Sequence, residues 1–90
     1  MKYDEIIELA KMLRFGSTEA KFTAGTQIHT LDNDGLVDVL ETSREILFEN
    51  SDDDEIISSV THMISFIYAE QSNRIVKSGF GKVVDFFLKK

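Results

Sequence analysis

The chain has 90 residues, of which 42% are hydrophobic and 29% are charged, and it contains no cysteine, proline or tryptophan. This length and composition predict one globular domain spanning residues 1–90 and argue against a disordered chain. The formal charge of −6 argues against a general nucleic-acid binder, and the absence of cysteine excludes disulfide scaffolds and thiolate metal sites.

The first helical pattern lies near the N-terminus and is expected to end at Gly16. Acidic side chains stand at its start and basic ones near its end, which the helix dipole favours. Its apolar face is formed by Tyr3, Ile6, Ile7, Ala10 and Leu13.

Residues 17–31 carry a mixed pattern. Apolar and polar residues alternate from Phe22 to Thr30, which fits a short strand, but no second strand pattern occurs to pair with it. Ser17 or Thr18 could instead cap a short helix. We therefore expect an irregular or helical connection whose Phe22 and Ile28 side chains fill the core.

A turn and helix N-cap are predicted at residues 32–35, where the sequence reads Asp-Asn-Asp-Gly. The helix that follows is expected to run until Asn50 and Ser51 interrupt its pattern. Its apolar stripe consists of Leu36, Val39, Leu40, Ser43 and Leu47, with Val37, Ile46 and Phe48 beside it.

A third helix is predicted to begin with a capping box formed by Ser51 and Asp54 or by Asp52 and Glu55. It is expected to extend towards Val76. Its buried face would consist of Ile56, Ile57, Val60, Met63, Ile64, Ile67 and Tyr68. A last, short amphipathic helix is predicted over Phe80–Leu88, after the interruption at Ser78 and Gly79.

Three long amphipathic helices and a short C-terminal helix, joined by short connections, predict an all-α fold. The expected arrangement is an antiparallel up-and-down four-helix bundle. Neither an export signal nor a hydrophobic run of membrane-spanning length is evident, so we expect a cytoplasmic chain with no transmembrane segment.

No pattern in the sequence predicts catalytic, cofactor-binding or metal-binding residues. His29 and His62 lie on different predicted elements and are expected to be structural. The acidic turn at 32–35 fails the calcium-loop pattern, because the sixth position is Val37 and the twelfth is Ser43. We therefore expect a chain that is not an enzyme and needs no cofactor.

The net charge conceals a strong asymmetry along the chain. Residues 32–55 contain ten acidic side chains against Arg44 alone, a formal charge of −9, whereas residues 56–90 carry +3. Helix capping accounts for several of these acids. The alternative interpretation is an acidic inhibitor or antitoxin-like protein whose residues 32–55 block a basic nucleic-acid-binding site. Its candidate face consists of Asp38, Glu41, Glu45 and Glu49.

From Leu36 onward, the spacing resembles that of the helical immunity proteins of class II bacteriocins, the enterocin A immunity type. A helix with apolar residues from Leu36 to Leu47 precedes an acid-rich turn. A long helix follows from Ile56 to Tyr68, then a polar stretch and the amphipathic segment Phe80–Leu88, which precedes two lysines. The first helix and the length of 90 residues also suit this family.

The resemblance implies a cytoplasmic antiparallel four-helix bundle that protects a producer cell from its own bacteriocin. It implies a protein partner, the bacteriocin–receptor complex at the inner face of the membrane, and no nucleic acid. In that family the C-terminal half determines which bacteriocin is neutralised. The corresponding candidates are Tyr68, Arg74, Lys77, Phe80, Lys82, Phe86, Lys89 and Lys90. The acidic middle departs from several basic relatives.

Overall fold

The computed structural model describes residues 1–77, and all regular secondary structure in this range is helical. The elements are α1 (Tyr3–Phe15), α2 (Thr18–His29), α3 (Asn33–Glu49) and α4 (Asp54–Ile75). The all-α prediction is confirmed over this range. The four helices are not the predicted four, however, because α2 occupies the expected connection and the predicted helix Phe80–Leu88 lies outside the described residues.

The segment 17–31 is mostly helical. Ser17 is the N-cap of α2, and its side-chain oxygen accepts a hydrogen bond from the backbone N–H of Ala20 at 3.1 Å. Ala24 and Ile28, one helical turn apart, are buried, so the prediction for Ile28 is confirmed. The prediction for Phe22 is wrong: its side chain is 77% exposed, because its position in the helix faces away from the core.

The predicted cap at the start of α3 is confirmed, since Asp32 Oδ1 accepts a hydrogen bond from the Gly35 N–H at 2.7 Å. The cap of α4 is Asp53, which accepts a hydrogen bond from the Ile56 N–H at 3.2 Å. Neither predicted capping box supplies this cap. Consecutive acids can each serve as a cap, so the choice depends on where the chain turns into the helix.

Gly16 ends α1 for a steric reason. Its backbone is extended, with φ −71° and ψ 171°, and needs no left-handed conformation. A Cβ at this position would lie 2.5 Å from the Met12 carbonyl oxygen and 2.8 Å from the Ala20 Cβ. The close approach of α1 and α2 therefore requires a residue without a side chain.

One apolar core joins the four helices, and it consists of aliphatic residues, alanines and one methionine. Its members are Ile6, Leu9, Ala10, Leu13, Ala24, Ile28, Leu36, Val39, Leu40, Ile46, Ile56, Val60, Met63 and Ile67. Two buried serines accompany them, and each donates to a carbonyl of its own helix: Ser43 to Val39 and Ser59 to Glu55. Every buried side-chain nitrogen and oxygen among residues 1–77 has a hydrogen-bond partner.

Contacts between α1 and the segment around the start of α4 advance in the same direction on both. The Tyr3 hydroxyl accepts a hydrogen bond from Asn50 at 2.9 Å. Lys11 Nζ lies 3.7 Å from Glu55 Oε1, and Arg14 Nε donates to Ser58. These contacts indicate that α1 and the first part of α4 run in the same direction.

The position of α2 shows where the chain goes after α1. His29, its last residue, lies beside Glu70 near the far end of α4. The helix therefore carries the chain onward to that end, where α3 begins. Separately, none of the described helices is both long enough and apolar enough to cross a membrane.

Candidate protein-binding surface

The connection between α2 and α3 is held by one arginine. Arg74 Nη2 donates to the carbonyl oxygens of Leu31 at 2.7 Å and His29 at 3.2 Å, and Nη1 donates to Asn33 Oδ1 at 2.9 Å. The five N–H groups of a guanidinium suit such a set of acceptors, which a lysine could not match. Arg74 thus joins the end of α4 to the start of α3.

Glu70 completes this cluster on α4. Its Oε1 atom accepts a hydrogen bond from Arg74 Nε at 3.3 Å and lies 2.8 Å from His29 Nδ1, and its side chain is only 12% exposed. The carboxylate therefore orients Arg74 towards the connection. Arg74 was predicted to bind a partner; its guanidinium contacts groups of its own chain, which gives it a structural role in this fold.

The acidic face predicted for the alternative function lies along the outer side of α3. Asp38, Glu41, Glu45 and Glu49 follow one another at three- and four-residue intervals, which places them on one face of the helix. All four are exposed, and none forms an ion pair with another residue in the range 1–77. Their negative electrostatic potential therefore extends into the solvent, where it can attract a cationic partner.

An exposed phenylalanine stands beside these carboxylates. Phe48 is 85% exposed, and its neighbours one turn earlier on α3 are Arg44 and Glu45. Arg44 Nη2 donates to the Tyr68 hydroxyl of α4 at 3.1 Å. Tyr68 itself is 46% exposed, so its assignment to the buried face of this helix is wrong, and this candidate partner residue lies at the surface between α3 and α4.

A depression opens between α3 and α4 on the side towards their Arg74 end. It has a volume of about 340 Å³ and is lined by Asn33, Val37, Gln71, Arg74 and Ile75. Val37 and Ile75 are both exposed apolar side chains at its edge. The depression can thus accept an apolar group from outside.

A second groove lies between α2 and α4, near the His29–Glu70 contact. Its volume is about 390 Å³, and its apolar walls are Phe22 and Phe66. Gly25 forms part of it, because a Cβ there would lie 3.4 Å from the Phe66 ring. This groove combines two aromatic rings with Lys21, His29 and Glu70, so its charge is mixed.

The remaining predicted site residues divide into two sets. Lys77 is exposed at the end of the described chain. The other five lie outside the described residues: Phe80, Lys82, Phe86, Lys89 and Lys90. Among residues 1–77, no group of three or more His, Asp or Glu side chains is arranged to hold a metal ion.

Sequence reasoning did not single out Phe48 or Val37 as surface residues and treated them as flanks of the apolar stripe. Helical spacing could have shown that these two side chains are exposed, because both lie on the far side of α3 from the buried Leu36, Val39 and Leu40.

Comparisons of the chain with protein-family profiles, with curated proteins and with solved structures found no match.

Proposed function

We propose that this chain is a non-enzymatic protein-binding module and that its biological function is bacteriocin immunity. One observation supports protein binding above all others: the described phenylalanine side chains lie outside the core. All four phenylalanines among residues 1–77 are exposed, namely Phe15, Phe22, Phe48 and Phe66. The core beneath them is aliphatic. Aromatic residues at the surface are typical of protein interfaces, where they supply large contact areas.

The immunity proposal rests on the resemblance in spacing. A helix, an acid-rich turn and a longer helix follow one another in that family and in α3, residues 50–53 and α4. We also propose that α3 and α4 are antiparallel, because Asn33 at the start of α3 contacts Arg74 near the end of α4. Protection would take place in the cytoplasm, where the partner is a bacteriocin–receptor complex at the membrane.

A protection assay tests this proposal. The full chain is expressed in a sensitive bacterial host, which is then exposed to a panel of class II bacteriocins. We expect survival against at least one member of the panel. Sensitivity to every member, with the protein present and folded in the cells, would contradict immunity.

The family resemblance also predicts where the specificity lies. A variant carrying Lys89→Glu and Lys90→Glu should lose protection, because these residues belong to the proposed partner-binding set. The matched control carries Lys2→Glu and Lys21→Glu, which change the net charge equally at exposed positions near the other end of the chain. Equal loss in both variants would indicate a general charge effect.

The second candidate is an acidic inhibitor of a basic nucleic-acid-binding protein. It is favoured by the four α3 carboxylates, which have no ion-pair partner within residues 1–77. The expected behaviour is binding to a basic nuclease or DNA-binding protein that weakens as salt is raised. Charge reversal by Glu41→Lys and Glu45→Lys should abolish it, while an unchanged affinity would contradict this candidate.

A further inference from the structure

Exposed apolar side chains and carboxylates without an ion-pair partner among residues 1–77 lie together along the outer edge of the contact between α3 and α4. Apolar side chains stand along it at three points: Val37 near the start of α3, Tyr68 beside Arg44, and Phe48 near the end of α3. The rise per residue places Val37 and Phe48 about 16 Å apart along the helix axis. This length corresponds to about three turns of a partner helix.

One side of this edge is apolar and the other side is acidic. Towards α4, Val37 and Ile75 border the depression of about 340 Å³, which can accept one apolar side chain. On the side away from α4, the edge is bordered by the carboxylates of Asp38, Glu41 and Glu45. A ligand that matches both sides needs an apolar stripe with cationic groups along one flank.

We propose that this edge, which we name the α3–α4 edge and define by Val37, Glu41, Glu45, Phe48 and Tyr68, docks a cationic amphipathic helix of a partner protein. The inference rests on the proposal that the chain is a protein-binding module, and it adds the chemical class of the partner. Phe48 is the anchor, because it is the most exposed large apolar side chain described and its ring can be buried on contact.

Other occupants fit this edge poorly. In a two-fold dimer through the α3–α4 edge, the carboxylates of both copies would face each other, and the one arginine beside them in each copy, Arg44, would offset only part of their repulsion. Nucleic acid would meet the same repulsion from its phosphates. Electrostatic attraction to lysine or arginine side chains therefore selects the partner, and apolar contact fixes its position.

The experiment uses the full 90-residue chain and a synthetic leucine–lysine amphipathic peptide of about five helical turns as the probe. Binding is measured by fluorescence anisotropy of the labelled peptide. A leucine–glutamate peptide of the same pattern serves as the charge control. We expect the chain to bind the lysine peptide with an affinity that falls as the salt concentration is raised, and not to bind the glutamate peptide.

Two variants test the α3–α4 edge, and each has a matched control. Phe48→Ser should weaken binding at least tenfold, the scale of an interface anchor, whereas Phe22→Ser on the other groove should not. Glu41→Lys with Glu45→Lys should weaken binding by about tenfold at low salt. Glu5→Lys with Glu8→Lys changes the net charge equally on α1 and should have a much smaller effect. Circular dichroism checks that each variant is folded.

The inference is overturned if the wild type does not bind the lysine peptide or if the control variants lose as much affinity as the test variants. The protection assay, repeated with Phe48→Ser, separates this inference from immunity. If Phe48→Ser and the wild type protect equally, immunity stands without the α3–α4 edge, and the peptide titration alone decides the inference. If the edge binds the peptide as expected but the wild type never protects, immunity fails and the docking surface stands.

Discussion

Arg74 offers the sharpest test of what holds this fold together. Its guanidinium donates to two backbone carbonyls and one side-chain amide of the α2–α3 connection, and it also contacts Glu70. Replacement by alanine removes these contacts together. A hydrogen bond from a charged donor contributes about 1.5–3 kcal/mol when buried. Here the side chain is 25% exposed, so water can replace part of what is lost.

We therefore expect Arg74→Ala to lower the free energy of unfolding by about 2 kcal/mol. For a domain of this size, such a loss corresponds to a decrease in Tm of roughly 8–16 °C. Arg74→Lys should cost about half as much, because an ammonium group can stay near Glu70 but cannot reach all the acceptors. Urea unfolding followed by circular dichroism measures both values.

Lys77→Ala is the control, since it removes an exposed cation a few residues further along the chain and should change stability by less than about 0.5 kcal/mol. Hydrogen exchange adds a local readout. The amides of Leu31 and Asn33 should exchange faster in Arg74→Ala if the connection is released. A loss below about 0.5 kcal/mol in Arg74→Ala, or an equal loss in the control, would refute the structural role assigned to Arg74.

Three further predictions concern packing and capping, and all are measured by chemical or thermal unfolding. Gly16→Ala should destabilise the fold by about 1–3 kcal/mol, because the added methyl group would collide with α1 and α2. Gly25→Ala lies in a helix interior with room for a methyl group and should stabilise the fold by about 0.5–1 kcal/mol. A change of the same sign in both variants would contradict the steric argument. Asp32→Ala should cost about 1 kcal/mol and Asp32→Asn only a few tenths, since both Asp and Asn cap helices well. Ile28→Ala should lower the free energy of unfolding by about 2–5 kcal/mol, and Phe22→Ala should lower it by less than about 0.5 kcal/mol. A larger loss in Phe22→Ala would indicate that this side chain is buried.

The sequence predicted α1, α3 and α4 because each carries a wide apolar stripe. In α2 the signal is weak: only Ala24 and Ile28 are buried, and several threonines fit a strand as well as a helix. Phe22 was assigned to the core because large aromatic side chains are usually buried. Helical geometry decides otherwise, since a residue two positions before Ala24 points to a different face.

The path of residues 17–31 could not be predicted from their pattern alone. They were treated as an irregular or helical connection, and the structure has a helix there that carries the chain along to the far end of α4. The candidate site was predictable only in part. The spacing of Glu41 and Glu45 predicted an acidic face, but the exposure of Phe48 depends on which way α3 is rotated against its neighbours.

The two buried serines have a consequence for how the helices are aligned. Because Ser43 and Ser59 satisfy themselves within their own helices, no polar side-chain bond links two helices inside the core of residues 1–77. Aliphatic side chains of similar volume can replace one another there at small cost. Hydrogen bonds that tie one helix to another lie at the rim, as between Arg44 and Tyr68. Volume-conserving changes in the interior should therefore leave the alignment of the helices intact, while a change at the rim alters both that alignment and the surface that a partner meets.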